Sequence, residues 1–159
     1  MPRVLRLASI SFVLAAPWSA AWTSGGQELQ TEIRLLGSKI DKNEIGRVEL
    51  YKIPGRILTR TRITPGMLEE QYRYKLTIRD LRGDALAETL GRAVRSLSVE
   101  RTSTDPEVRW GAVFYTPGGD RTAAIFLDVT GTRGFIGSTA VTIRGDFFKW
   151  LKDSFAPQL

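Results

Sequence analysis

Hydrophobic and polar residues alternate in several short segments of the chain, and a period of two is typical of half-buried β-strands. The clearest alternation runs through residues 72–79. We predict strands over 28–35, 45–53, 56–63, 72–79, 108–115, 122–129 and within 135–143. The strand at 122–129 is apolar on both faces in its middle, so we expect it at the centre of a sheet.

Two other segments repeat their apolar residues at the spacing of a helix. One predicted helix begins at Asp84, because aspartate caps helix N-termini well. Its apolar face is formed by Leu86, Leu90, Val94 and Leu97. A second short amphipathic helix is predicted over 146–155, and Thr64 followed by Pro65 predicts a brief helical turn.

Turn residues at Pro54-Gly55 and within 116–121 would join neighbouring strands as hairpins. Hairpins outnumber any strand–helix–strand unit, which favours antiparallel pairing. The sequence therefore predicts one α+β domain over residues 27–156, with a mainly antiparallel sheet of about six to seven strands and two helices packed on one face.

Residues 1–21 have the organisation of a secretory signal peptide. Arg3 and Arg6 form a basic start, residues 7–16 form an apolar run, and residues 19–21 are small enough for a cleavage site. The run is shorter than the roughly 20 residues of a membrane-spanning helix. We predict cleavage after Ala21, a flexible lead at 22–26, and a mature protein in the periplasm or outside the cell, with no stable membrane insertion.

Histidine and cysteine are both absent from the 159 residues. Their absence removes the commonest general base and metal ligand, thiol nucleophiles and disulfides. The net charge of +6, or +4 without the arginines of the predicted signal, is too modest to indicate a nucleic-acid partner. Because no nucleotide-loop or calcium-loop spacing occurs either, we expect no cofactor and no metal.

Carboxylate pairs could still support glycoside hydrolysis. The candidates are Glu69, Glu70, Asp105, Glu107, Asp120, Asp128 and Asp146. Most of them fall at helix starts and turns, where acidic residues are commonly structural. Asp128 interrupts an apolar strand, so a buried carboxylate there needs a cation such as Arg121 or Arg133. We predict that the protein is not an enzyme and has no catalytic residues.

Basic residues recur on one side of the two strands predicted at 56–63 and 72–79. The six are Arg56, Arg60, Arg62, Arg73, Lys75 and Arg79. If the two strands were neighbours, these side chains would form a patch for an anionic partner. Acidic residues on nearby strands would neutralise the patch in the alternative interpretation, namely Glu28, Glu32 and Glu49.

Predicted export and the lack of a catalytic set favour a non-enzymatic protein that binds another protein in the cell envelope, as inhibitors and immunity-type proteins do. One alternative is a module that binds an envelope polymer or another anionic ligand through the basic strands. A carboxylate-dependent hydrolase is the other. Salt-sensitive binding to acidic polymers would favour the first alternative, and turnover abolished by one carboxylate substitution would favour the second.

Overall fold

A computed structural model describes residues 24–79, 81 and 85–156. Within these ranges the helices and strands are α1 (Ser24–Asp41), β1 (Arg47–Lys52), α2 (Pro65–Gln71), β2 (Tyr74–Arg79), α3 (Ala85–Arg95), β3 (Ser98–Arg101), β4 (Trp110–Tyr115), β5 (Arg121–Leu127), β6 (Arg133–Ile136), β7 (Thr139–Arg144) and α4 (Phe147–Phe155). The strands form one antiparallel sheet in the order β2-β1-β4-β5-β6-β7-β3. The predicted single α+β domain is confirmed. The predicted signal peptide and the predicted cap Asp84 lie outside the described residues.

The strand predicted at 28–35 is wrong, because this segment belongs to α1. Its buried side chains recur every three or four residues, at Leu29, Ile33, Leu36 and Ile40. The alternation that predicted a strand depends on Leu35, which is 56% exposed. Since α1 begins at Ser24, it also includes the end of the lead predicted at 22–26.

The strand predicted at 56–63 is also wrong, and so is its hairpin across Pro54-Gly55. β1 pairs with β2 along one edge and with β4 along the other, so neither edge is left for residues 56–63. Instead the backbone N–H of Ile57 donates to the carbonyl oxygen of Pro54 at 3.0 Å, which closes a turn. The chain then continues to α2 as a loop.

The other predicted elements form, with shifted ends. Thr64 caps α2, because its hydroxyl oxygen accepts from the backbone N–H of Met67 at 3.4 Å. The region 135–143 holds parts of two strands, β6 and β7, joined by a turn in which Gly137 has a φ of 58°. β5 is the central strand of the seven, as its apolar residues predicted. β3 was not predicted from its short and mostly polar sequence.

The core consists of two clusters of buried side chains on opposite faces of the sheet. α1, α3 and α4 pack in the larger cluster, which includes Ala112 and Phe114 of β4. The smaller cluster contains Val113 of β4 and Leu68 of α2. Because neighbouring residues of a strand point to opposite faces, α2 lies on the other side of the sheet from the larger cluster. The sequence predicted two helices on one face. The described residues instead form four helices, of which α2 packs in the smaller cluster.

Candidate functional site

The segment between β1 and α2 projects from the sheet as an exposed loop. Residues 55–62 are all exposed, whereas Ile53 and Ile63 on either side are buried in the smaller cluster. We call residues 54–62 the clamped loop. Its two ends are fixed in the core, and its middle is presented to solvent.

A buried arginine holds the first half of the clamped loop. Arg109 lies just before β4 and is only 8% exposed. Its Nη1 donates to the carbonyl oxygens of Ile57 at 2.9 Å and Pro54 at 3.4 Å, and its Nη2 pairs with Glu107. A buried guanidinium needs its donors satisfied, so the turn and the burial of Arg109 depend on each other.

The second half of the clamped loop is tied to the segment that precedes β4. Nη1 of Arg62 donates to the carbonyl oxygen of Asp105 at 2.7 Å, and Nη2 lies 3.8 Å from the Asp105 carboxylate. Next to it, the backbone N–H of Val108 donates to the carbonyl oxygen of Ile63 at 3.0 Å. These bonds leave only the tip, residues 58–61, without a tether of its own.

The tip combines one large apolar side chain with free positive charge. Leu58 is 95% exposed. On either side of it, Arg56 and Arg60 form no ion pair with any described residue. A Cβ built on Gly55 would lie 2.7 Å from Cγ2 of the exposed Val129, so a second apolar side chain lies against the base of the loop. The surface presents aliphatic groups bordered by guanidinium groups.

The structure divides the six basic residues into two groups. Arg56, Arg60 and Arg62 lie in the clamped loop, and the other three lie on or just before β2. On β2, the ammonium group of Lys75 lies 3.2 Å from the Glu49 carboxylate. The side chains of Arg73 and Arg79 form no ion pair with any described residue. The adjacent pair of basic strands predicted from the sequence is therefore absent from the described part of the chain, and of the predicted neutralising acids Glu49 alone pairs with one of the six.

Glu49 lies at the centre of a polar cluster on the side of β1 that carries Tyr51. Its Oε2 accepts from the hydroxyls of Tyr51 at 2.5 Å and Tyr115 at 3.2 Å. Burial raises the pKa of Glu49, but hydrogen bonds from Tyr51 and Lys75 and the charges of Lys75 and Arg47 outweigh burial and bring it below the ordinary value. Burial, together with the Glu49 charge, raises the pKa of both tyrosines. The ionised carboxylate of Glu49 therefore has a structural role, since it holds Tyr51, Tyr115 and Lys75 together.

Asp128 has the kind of partner that the sequence predicted. Its Oδ1 accepts from the backbone N–H groups of Thr130 and Thr132, both at 3.1 Å, and its Oδ2 lies 3.3 Å from Nε of Arg133. Arg121 pairs instead with Glu69. Asp128 therefore organises the turn between β5 and β6. Within the ranges that the structure describes, no group of three acidic side chains could hold a metal ion.

Lys52 is a buried cation that the sequence pattern does not single out. It is 7% exposed, and its Nζ lies 4.5 Å from the ring centroid of Trp110. Burial lowers its pKa. No described carboxylate lies within 4.0 Å of it. A signal was available, because a period of two places Lys52 on the same face of β1 as Val48 and Leu50.

Two surface grooves lie away from the clamped loop. The larger, about 480 Å³, separates α3 from α4 and is lined by charges of both signs around Trp150. The smaller, about 320 Å³, lies between α1 and the adjoining ends of β5 and β6. Neither contains a free buried polar group that would select one class of ligand.

Comparison of the chain with protein-family models, with curated proteins and with solved structures finds no match. Over the described ranges, no helix combines the length and apolar character that crossing a bilayer requires. The clamped loop and the charges around β2 are the candidate functional features.

Proposed function

We propose that this protein is an exported, non-enzymatic binding protein that engages a partner protein through the clamped loop. The observation that carries the proposal is Leu58, which is 95% exposed at the tip of a loop whose backbone is held by buried Arg109. Transfer of a leucine side chain from water into a pocket is worth about 1.5–3 kcal/mol. Leu58 gains almost none of that from the described residues, and a partner with an apolar pocket would supply it.

The clamps favour binding because they fix the loop before a partner arrives. A loop that must be ordered on association loses part of its binding free energy, at about 0.5–1.5 kcal/mol for each side chain immobilised. Here Arg109 and Arg62 already hold both ends of the loop through backbone carbonyl groups. An exposed loop whose two ends are fixed fits the cleft of another protein, which is the geometry that an inhibitor or immunity-type protein needs.

The chemistry of the tip defines the partner surface. Leu58 favours an apolar pocket, and Arg56 and Arg60, which form no ion pair with a described residue, favour acidic groups around the rim of that pocket. Charges at such a rim act mainly on the rate of association. Export is the part of the proposal that rests on the signal-peptide pattern of residues 1–21.

A photo-crosslinking amino acid placed at Leu58 in the exporting host tests the proposal. We expect one discrete protein adduct, with a yield that falls when Arg56→Glu and Arg60→Glu are combined. The matched positional control is Leu35, which is also exposed but lies on α1. The matched charge control combines Arg34→Glu with Lys42→Glu, since both are exposed and unpaired. The proposal that the loop is the binding surface would be refuted by equal adduct yields at Leu58 and Leu35. It would also be refuted by a yield at Leu58 that does not change when the two loop charges are reversed.

The alternative of an envelope-polymer module has less support. That alternative requires the six basic side chains to lie on two adjacent strands, but three of them lie in the clamped loop. An extended polymer binds best along a continuous row of charge. The clamped loop presents one exposed leucine beside two arginines that form no ion pair with a described residue, which favours a protein partner with a cleft.

A further inference from the structure

The two outer edges of the sheet differ in how their backbones are covered. β3, at one edge, is four residues long and has α1 beside it. The side-chain amide of Gln30 in α1 donates to the carbonyl oxygen of Leu97 at 2.8 Å and accepts from the backbone N–H of Val99 at 3.3 Å. This amide occupies one C=O and one N–H group that a neighbouring strand would use. The β3 edge is therefore short and partly covered.

β2, at the other edge, has no such cover from the described residues. All six of its residues pair with β1, which is its only neighbour among the described strands. Among the described residues, no helix, strand or side chain bonds to the backbone of β2 on its outer side. An uncovered edge strand of this length presents a row of free N–H and C=O groups to which another strand can pair.

The side chains of β2 define what kind of strand fits. Tyr74, Leu76 and Ile78 pack against the larger core cluster but stay only half-buried, so a further strand would complete their burial. On the opposite side, Lys75 shares the Glu49 carboxylate with Arg47, and Arg73 and Arg79 form no ion pair with an acidic residue that the structure describes. β2 thus carries half-buried apolar side chains on one face of the sheet and an excess of basic side chains on the other.

The geometry points to the free edge of β2 as a docking site for an extended, acidic segment of a partner protein, which adds to the sheet as an eighth strand. Backbone hydrogen bonds supply the affinity in this mode of recognition, and alternating side chains supply the specificity. Apolar residues of the segment cover the row that contains Leu76, and its acidic residues face Arg73 and Arg79. The inference is independent of the clamped loop.

A second copy of this chain is a poor occupant of the edge. Antiparallel pairing of β2 with itself about Thr77 places Lys75 of one copy opposite Arg79 of the other. A shift of the centre to Leu76 places Arg73 opposite Arg79. Like charges that face each other across strands are destabilising, whereas glutamate or aspartate at these positions is favourable.

Amide hydrogen exchange with a synthetic peptide tests the inference. The probe is an eight-residue peptide that alternates valine with glutamate, titrated into the intact protein. We expect slower exchange at the amides of β2 and no change at the clamped loop. Two control peptides should give no protection: one carries lysine in place of glutamate, and the other carries methyl groups on its backbone nitrogens.

Charge reversal makes the test specific. Arg73→Glu combined with Arg79→Glu should weaken binding of the acidic peptide by about ten-fold or more, because two favourable rim charges become repulsive. Arg34→Glu in α1 with Lys42→Glu in the turn just after it changes the net charge equally and should leave the affinity unchanged. The inference is overturned by unprotected β2 amides, by equal effects of the two double variants, or by a dimer that protects β2 without peptide.

Discussion

At the scale of single residues, Glu49 ties stability to pH. Its pKa in the folded protein lies below the ordinary value of 4.5, because hydrogen bonds and nearby cations outweigh burial. A depressed carboxylate pKa contributes stability that is present above the unfolded pKa and is lost as pH falls through the folded pKa. Glu49 should therefore stabilise the protein at neutral pH and stop doing so in acid.

We predict that Glu49→Gln lowers the free energy of unfolding by about 1–3 kcal/mol at neutral pH, the usual effect of losing hydrogen bonds to a charged group. Because glutamine does not titrate, the variant should also lose less stability below pH 4.5. Urea unfolding over a range of acidic pH measures both effects. Glu32→Gln is the control, since Glu32 is exposed and unpaired. A pH dependence unchanged in Glu49→Gln would show that Glu49 is solvated.

Lys52 gives stability the same direction of change with pH, but in the alkaline range. Burial lowers the pKa of Lys52 below 10.5, so the folded protein releases this proton at a lower pH than the unfolded chain does. Stability should therefore rise between the folded pKa and 10.5. In Lys52→Met that rise should disappear, whereas the exposed control Lys42→Met should keep it. Equal alkaline slopes in Lys52→Met and the wild type would contradict the assignment.

At the scale of elements, the clamped loop depends on one distant side chain. Removal of the Arg109 guanidinium leaves the carbonyl groups of Pro54 and Ile57 without their donor. We predict that Arg109→Met speeds tryptic cleavage at Arg56 and Arg60 under native conditions, because the loop then opens locally. The cleavage rate should rise by more than the change in global unfolding accounts for.

Arg121→Met provides the matched comparison for this prediction. It also removes a guanidinium, but one that pairs with Glu69 on the surface. Its effect on loop cleavage should be negligible, since the pair does not touch residues 54–62. If both variants are cut at the wild-type rate, Arg109 does not hold the loop.

Elements whose pattern had one physical interpretation were predicted correctly. α3 has apolar residues at helical spacing, and β5 is apolar on both faces, so each could be placed from its own residues. Residues 28–35 fit both periods, and Leu36, just beyond them, decides for the helix. Residues 56–63 do alternate, but they cannot pair with β1 as predicted, because β2 and β4 already occupy both of its edges. Local sequence does not specify which strands pair, so that outcome depends on the whole sheet.

The candidate site was predicted in part for the same reason. The charges of Arg56 and Arg60 were recognised from sequence, and both are exposed. Their setting was not predicted, because Arg109 lies more than 50 residues from the carbonyl groups that it holds. Contacts at such separation leave no periodic pattern in the sequence.

At the scale of the whole molecule, the predicted cleavage after Ala21 removes none of the described residues, which begin at Ser24. We predict that the mature protein begins at Trp22. Mass spectrometry of the protein from the periplasmic or external fraction determines this residue. Recovery of the intact chain in the membrane fraction would contradict both cleavage and export.

The most direct test of the central claim is the affinity of purified Leu58→Ser for the partner that cross-links at this position. An exposed apolar anchor at the centre of an interface typically contributes 2 kcal/mol or more, so we expect binding to weaken by about 30-fold or more. Leu35→Ser, with its substitution on α1, should bind as the wild type does. An affinity of Leu58→Ser equal to that of the wild type would contradict the proposal that the clamped loop is the binding surface.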